Sequence, residues 1–254
     1  MKISVIIPVL NEKDDLPQTL RDLAKFSGFH ELIVVDGGST DGTREWLSTS
    51  LPTNVSVIDG RRGRGNQLNA GAQAATGEAL LFLHADTRLP EDAIPRITNA
   101  LAEPDVIGGG FYLHFLESQP WILRVVSAAI NFRTRLLQRT TGDQAIFVRR
   151  DSFVAAGGIA PWPIFEDVDF VQRLKRLGCF AIIPAQVATS GRRYITGGVL
   201  RTVLLMFALQ LFYRIGVSPF RLHRWYKDVR FNPMLDRRRE NFQAPKQIPR
   251  WRSR

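Results

Sequence analysis

Glu78-Ala79-Leu80-Leu81-Phe82-Leu83-His84-Ala85-Asp86-Thr87 is a short apolar run that ends in polar chemistry. Gly77 and Pro90 bound it, and its unbroken Leu and Phe content predicts a central strand buried on both faces. In an open α/β sheet, ligands sit in the crevice beyond the carboxyl ends of the strands, so His84, Asp86 and Thr87 are expected to emerge at a site. A local reading competes with this one: Asp86 or Thr87 could simply cap a helix announced by Pro90-Glu91-Asp92. What favours the site is how many other strands end in the same way.

Ile3 to Val9 reads as a first buried strand, and it delivers Asn11 and Glu12 to its carboxyl end before a helix pattern from about Asp14 to Phe26. Glu31-Leu32-Ile33-Val34-Val35 is a second strand and runs into Asp36-Gly37-Gly38-Ser39-Thr40-Asp41-Gly42-Thr43. Those glycines allow close backbone approach to a ligand, and Ser39, Thr40 or Asp41 can cap the helix that continues through Trp46 and Leu47. Val55 to Ile58 is a third strand, followed by Arg61-Arg62-Gly63-Arg64-Gly65 and a helix from Asn66 to Ala75. Two glycines among three arginines point to a phosphate-binding turn. A dinucleotide fingerprint is discounted, because its third glycine would stand where Leu68 is. With the Asp86 strand and a helix from Glu91 to Ala102, four βα units predict a doubly wound, mostly parallel α/β sheet with helices on both faces.

The pattern changes after Pro104. Val106 to Phe115 is interrupted by Gly108-Gly109-Gly110 and then alternates, which predicts an antiparallel or edge strand. Trp121 to Leu137 is helical, apolar and basic, and Thr141-Gly142-Asp143-Gln144 precedes a strand over Ala145-Ile146-Phe147-Val148. Gly157-Gly158 and the aromatic Trp162 lead to Phe165-Glu166-Asp167-Val168-Asp169-Phe170 at the start of another helix. Three acids in a first turn suit the helix dipole in any case, and the aromatic, glycine-rich approach fits a pocket.

Composition narrows the classes. The chain has 254 residues, 44% of them hydrophobic, enough for a real core. Its single cysteine, Cys179, excludes an internal disulfide and any multi-cysteine zinc site, and reads as small core filler. Met1-Lys2 leads straight into strand-like residues without a signal-peptide pattern, so the expected location is cytoplasmic. The formal charge is +10, and Arg221 to Arg254 holds eleven Lys or Arg against three acids. Such a tail wants an anionic surface. Nucleic acid is discounted for want of aromatic-interleaved readout elements. A membrane surface is favoured, because Leu204, Phe207, Leu211 and Ile215 recur at helical spacing beside arginines. The apolar run from Val203 to Tyr213 is too short to span a bilayer, which needs about 20 residues. Contact is therefore expected to be peripheral, at the inner face of the membrane. A homo-oligomer remains open, and Phe242 to Arg254 reads as flexible.

Strand ends carrying Asn11-Glu12, Asp36, Arg62 or Arg64, and Asp86 suit a nucleotide diphosphate held with a divalent cation. Oxygen ligands such as Asp86 favour magnesium or manganese over zinc. Taken in order, Pro8-Val9-Leu10-Asn11-Glu12, Val35 to Thr43, the Asp86 stretch and Glu166-Asp167 resemble the successive motifs of the family-two glycosyltransferases, which have the GT-A fold. The resemblance runs over roughly residues 3–195. It implies a catalytic domain over 1–195, with a nucleotide half at about 1–104 and an acceptor half at about 105–195, then amphipathic helices over 196–230 and a basic tail over 231–254. Within the family, His84-Ala85-Asp86-Thr87 resembles the subgroup labelled arsenosugar-biosynthesis or radical-SAM and selenodomain-associated glycosyltransferase.

The resemblance implies transfer of a sugar from a nucleotide-diphosphate donor, a UDP-sugar first of all, to an acceptor hydroxyl with inversion. Pro8, Asn11, Glu12, Asp36, Gly38, Ser39, Arg62, Arg64, Asn69, His84, Ala85 and Asp86 would hold the donor, with Asp36 at the uracil or its ribose. Asp86 would ligate the Mn2+ or Mg2+ ion, with His84 as a second candidate ligand. Asp167 would be the general base, supported by Glu166. Gly142, Asp143, Gln144 and Trp162 would line the acceptor side. Two departures stand out. His84 occupies the place of the first acid of the family's Asp-x-Asp motif, so either the imidazole takes over the ribose or metal contact, or transfer is weakened. The Gln-x-x-Arg-Trp motif of polymer-making members is missing, with Arg192-Arg193-Tyr194 in its stead, which argues for a non-processive enzyme. Two rivals are a nucleotidyltransferase, which lacks its glycine-rich loop here, and a non-catalytic nucleotide-sugar-binding protein of the same fold.

Overall fold

The computed structural model describes residues 1–49, 55–116 and 121–230; the basic tail over 231–254 lies outside the described residues. Among the described residues, the strands β1 (Ile3–Val9), β2 (Glu31–Asp36), β3 (Val55–Asp59), β4 (Ala79–Phe82), β5 (Thr87–Arg88), β6 (Val106–Phe115), β7 (Phe147–Arg149) and β8 (Cys179–Thr189) form one sheet. Their order is β3-β2-β1-β4-β7-β6-β8-β5. The four strands β3, β2, β1 and β4 are parallel, so their carboxyl ends share one edge. β7 runs antiparallel to both β4 and β6, while β6 and β8 are parallel.

The helices are α1 (Leu16–Leu23), α2 (Thr43–Thr49), α3 (Arg64–Ala74), α4 (Ala93–Ala100), α5 (Trp121–Leu137), α6 (Arg150–Ala155), α7 (Glu166–Leu174), α8 (Arg192–Gly197), α9 (Val199–Arg214) and α10 (Pro219–Arg230). They cover both faces of the sheet, as the doubly wound reading requires. Val5, Ile7 and Leu81 point into a core with Leu16 and Leu20 of α1 and Ile94 and Ile97 of α4. Ile6, Leu80 and Phe82 point the other way, onto Leu68 of α3, Phe153 of α6 and Phe170 of α7. Period-2 alternation along β1 and β4 therefore feeds two cores, and each fully buried Leu or Ile contributes about 2 kcal/mol. A smaller third cluster joins Phe165 to Leu209 of α9 and Leu222 of α10, which seats the last two helices against the start of α7.

Three expectations are corrected, and the competing cap reading of Asp86 and Thr87 fails. β6 is an interior strand between β7 and β8, with one antiparallel and one parallel neighbour. Its glycines are there for close approach: a Cβ on Gly109 would lie 2.2 Å from the Ala181 carbonyl oxygen and 2.4 Å from the Phe147 ring. β7 starts at Phe147 because Ala145 takes a left-handed φ of 50° and interrupts the extended chain. Asp86 and Thr87 start no helix; α4 begins only at Ala93, and Thr87–Arg88 pairs with β8 instead. Cys179 is exposed, because it is the first residue of β8, just past the turn at Gly178.

Candidate active site

Three loops meet beyond the shared strand edge, and hydrogen bonds fix two of them to each other. After β1, Asn11 adopts a left-handed φ of 58° and donates its N–H to Ser39 Oγ at 2.9 Å, while its side-chain Oδ1 accepts the Thr40 N–H at 2.8 Å. Glu12 N–H donates to Thr43 Oγ1 at 3.0 Å. Asp36, at the end of β2, is buried, and its carboxylate accepts from Ser39 Oγ at 2.5 Å and from the Ser39 and Gly38 amides. Asp36 thus shapes the glycine turn from below. Gln67 of α3 binds both strands at their ends, donating Nε2 to the Val9 and Val35 carbonyls at 2.7 and 2.9 Å. Sequence reasoning missed Gln67; the available signal was a lone amide on the buried side of α3.

An acidic group lies beside these loops. Arg192, the first residue of α8, places Nη2 2.5 Å from Asp15, 3.7 Å from Glu12 and 3.9 Å from Asp86. Burial and the neighbouring Asp86 push the Glu12 carboxyl up to about 7; Arg192 opposes the shift, and Asp15 and Asp41 add to it. Three carboxylates around one half-exposed guanidinium form a cation-seeking site, with Asp86 as a hard oxygen donor. Among the described residues no group of three or more His, Cys, Asp or Glu side chains could hold a metal by itself. A divalent ion here would complete its shell with oxygens of a bound diphosphate, so the residues fit a cation that arrives with the nucleotide. The backbone turn carrying Asp86 is fastened to α1 by Thr19 Oγ1, which donates to the Ala85 carbonyl at 2.5 Å. The Ala85 methyl is buried in the core, so this residue faces the crevice only with its backbone.

The second half of the site is a pocket lined by Arg64, His84, Gly142, Glu166 and Asp167. Phe165 precedes α7 with a left-handed φ of 63°, and this sharp entry turns Glu166 and Asp167 inward. Asp167 Oδ2 accepts the Gly142 N–H at 2.6 Å, and Oδ1 accepts the Val168 N–H at 2.8 Å. The His84 ring lies against Gly142: a Cβ there would be 3.0 Å from His84 Nε2 and 3.3 Å from Asp167 Oδ2. Glu166 is 3% exposed and pairs with Arg64 Nη1 at 3.1 Å. Burial raises the Glu166 carboxyl above its ordinary range, with Arg64 opposing and Asp167 reinforcing the shift. Arg64, expected at a phosphate, is therefore already engaged by the acids of α7.

Other expected residues are engaged by neighbouring groups or lie exposed. Gln144 is fully buried and spends its amide on the Phe111 carbonyl and Thr134 Oγ1, so it props the Thr141–Asp143 turn from behind. Asn69 exchanges two hydrogen bonds with the Ile159 backbone and braces the approach to α7. Arg62 is exposed on the turn after β3, and its carbonyl accepts from Asn66. Trp162 packs edge-on against Tyr213 of α9, and Asp143 accepts from Thr141 Oγ1.

Comparison with known proteins bears on the family and the fold. A family model described as Glycosyl transferase family 2 matches residues 4–154. Among solved structures, the mannosyltransferase PcManGT from Pyrobaculum calidifontis, in complex with GDP-Man and Mn2+, is 20% identical with a TM-score of 0.61; the match covers 87% of this chain and 68% of that one. S. aureus TarS 1-349 in complex with UDP-GlcNAc is 18% identical with a TM-score of 0.59, and the chain spans only 58% of its length against 75% of its own. Glucosyl-3-phosphoglycerate synthase from Mycobacterium tuberculosis, in complex with Mn2+, UDP-glucose and phosphoglyceric acid, is 22% identical with a TM-score of 0.58, over 85% of this chain and 80% of that one. At these identities the likeness to the three structures is one of fold.

Proposed function

This chain belongs to glycosyl transferase family 2 and is a glycosyltransferase, and on that premise we propose that it moves a sugar from a UDP-linked donor to an acceptor hydroxyl, one residue at a time, with inversion. The observation that carries the reading is Asp167, whose carboxylate is clamped by the Gly142 and Val168 amides beside the crevice where the strand-end acids meet. Two amide bonds fix which way the carboxylate faces, as a positioned base requires. Asp167 accepts the proton of the acceptor hydroxyl, the hydroxyl oxygen attacks the anomeric carbon, and the bond from that carbon to the diphosphate breaks. Attack opposite the leaving group inverts the centre. Glu166, paired with Arg64, holds the start of α7 in place.

On the donor side, the nucleoside lies along the Asn11–Glu12 and Gly38–Ser39 loops with Asp36 beneath them, and the diphosphate reaches toward Asp86. Asp86 would hold a Mn2+ or Mg2+ ion, which when bound neutralises charge on the leaving diphosphate. The three structural relatives, crystallised with GDP-Man, UDP-GlcNAc and UDP-glucose, support a nucleotide-sugar donor in this fold, and two of them contain Mn2+. We assign His84 to the base side of the sugar, since its ring lines the Asp167 pocket. The motif His84-Ala85-Asp86-Thr87 is what supports the arsenosugar and selenodomain-associated subgroup as the finer reading.

Peripheral attachment to an anionic membrane belongs to the same proposal. Among the described residues no helix is long and apolar enough to cross a membrane. Yet Leu204, Phe207, Leu211 and Ile215 share an exposed face at α9, and Trp121, Phe132 and Leu136 are exposed on α5. Neither helix contains an acid, and Arg124, Arg135 and Arg201 are exposed among these side chains. Apolar residues set among arginines are what an anionic interface binds.

The test is a calorimetric titration with UDP and Mn2+ on the wild type, Asp86→Ala and Asp36→Ala. Metal-dependent binding lost in both variants, together with sugar transfer lost in Asp167→Asn while UDP still binds, supports the proposal. No binding of UDP, GDP or dTDP by the wild type would overturn it in favour of a repurposed fold.

A further inference from the structure

A second groove lies between α5, α7 and α9, beside the Thr141–Gln144 turn. Arg133, Arg139 and Arg214 line it together with Thr141, Gln210 and Tyr213. Among the described residues no carboxylate lies within ion-pair distance of any of the three arginines, and α5 and α9 carry no acid at all. Burial and the nearby Arg139 also pull the Lys175 amine below its usual range, so a fourth cation crowds the same region. Three guanidinium groups lining one groove without a carboxylate partner make it electropositive, and their planar forks match the oxygens of a phosphate.

The groove is tied to the catalytic pocket at two points. Thr141 lines it, and the next residue, Gly142, is the amide donor to Asp167. Tyr213 lines it too, and its ring packs on Phe165, 5.1 Å between centroids, immediately before Glu166. Burial raises the Tyr213 phenol, and among the groups acting on it are Asp169 and Asp167. A molecule seated in the groove thus borders the base.

We propose that this groove is the acceptor subsite and that it binds a phosphoryl group of the acceptor, leaving a hydroxyl elsewhere on the same molecule to give its proton to Asp167. The proposal rests on the reading of Asp167 as the base. The phosphoryl group is not consumed in the step; it orients the acceptor. Its source is either a water-soluble phosphate ester or a lipid phosphate headgroup presented at the exposed faces of α5 and α9.

The probe is glycerol 1-phosphate, titrated calorimetrically into the full chain with UDP and Mg2+ present. Arg139→Gln/Arg214→Gln is expected to weaken its binding by about 30-fold, as the loss of two charge-assisted contacts implies. UDP affinity should stay within about threefold, and Arg96→Gln, on the exposed side of α4, should bind the ester as the wild type does. Arg139→Lys/Arg214→Lys keeps the charge and should retain most of the affinity, which separates lost charge from lost folding. If the glutamine pair fails to fold, each single variant should give about a fivefold loss. Flotation on phosphatidic-acid vesicles in preference to phosphatidylserine vesicles assigns the phosphate to a lipid; ester binding with equal flotation on both assigns it to a soluble acceptor. An unaltered affinity in the glutamine variants, or no ester binding by a wild type that binds UDP, overturns the subsite while leaving the donor site standing. Failure of UDP binding alone tells against the donor reading instead.

Discussion

Gly142→Ala tests the base pocket most directly, because the structure sets the size of the insult. The added Cβ would lie 3.0 Å from His84 Nε2 and 3.3 Å from Asp167 Oδ2, closer than ordinary van der Waals contact by a few tenths of an ångström. The His84 ring, the Asp167 carboxylate or the turn itself must give way by that amount. The group in jeopardy is the 2.6 Å hydrogen bond from the Gly142 amide to Asp167. An amide bond to a carboxylate contributes about 1.5–3 kcal/mol, so losing its alignment only at the reacting centre lowers turnover by about 10- to 100-fold. The folded state should lose little, about 1 kcal/mol, since nothing in the two cores moves. UDP release from a UDP-sugar, measured at saturating donor alongside a calorimetric UDP titration, separates the outcomes. Turnover within about twofold of wild type would refute the clamped-base geometry, and a parallel loss of UDP affinity would move Gly142 to the donor side.

Three further outcomes follow from named contacts. Glu12, with its carboxyl pushed up to about 7, is mostly protonated below that pH and mostly charged above it, so affinity for UDP with Mn2+ should climb from pH 5.5 through about 7 and level off about one pH unit higher. Because its folded value lies above the ordinary 4.5, the ligand-free protein should also lose stability as the pH rises through that window; Glu12→Gln should flatten both profiles, and a pH-independent titration of the wild type would count against the acidic group. Arg64→Gln strips the partner from a buried carboxylate, and with Arg64 itself part-exposed the cost should be about 2 kcal/mol at pH 8. It should shrink as the pH falls, because burial holds the Glu166 carboxyl above its ordinary range; equal denaturant midpoint shifts at pH 8 and pH 5 would contradict the pair's assignment. Leu204→Glu/Phe207→Glu should abolish flotation of the protein on anionic vesicles at low salt with no change in UDP affinity, whereas a wild type that never floats removes the membrane proposal.

The sheet was readable because strands announce themselves locally. Leu80-Leu81-Phe82 and Ile3 to Val9 are unbroken apolar runs, and a residue buried on both sides has few other conformations open to it. The polar residues that end those runs, Asn11, Glu12, Asp36 and Asp86, were equally legible, since parallel strands must deposit their carboxyl ends at one edge. For β6 the antiparallel pairing, which it makes with β7, was legible, but its place inside the sheet was not. Three glycines look like weakness in a strand, and only the neighbours in space reveal that they admit the Ala181 carbonyl and the Phe147 ring.

What sequence could not supply is which charges answer which. Glu166 and Arg64 are 102 positions apart, and Arg192 reaches Asp15 and Asp86 from the far end of β8. No local period links such pairs; they exist because the sheet brings the start of α7 and the start of α8 to the edge where α3 and the Asp86 turn begin. The same holds for amides. Gln144 and Asn69 read as ligand-facing from their motifs, yet each satisfies buried backbone groups instead, because an unpaired carbonyl in the interior costs about 1–3 kcal/mol. The residues closest to the chemistry are therefore held by residues that a motif scan would rank as functional. Substituting Gln144 or Asn69 should mimic an active-site lesion while acting through the position of the Thr141–Asp143 turn or of Ile159.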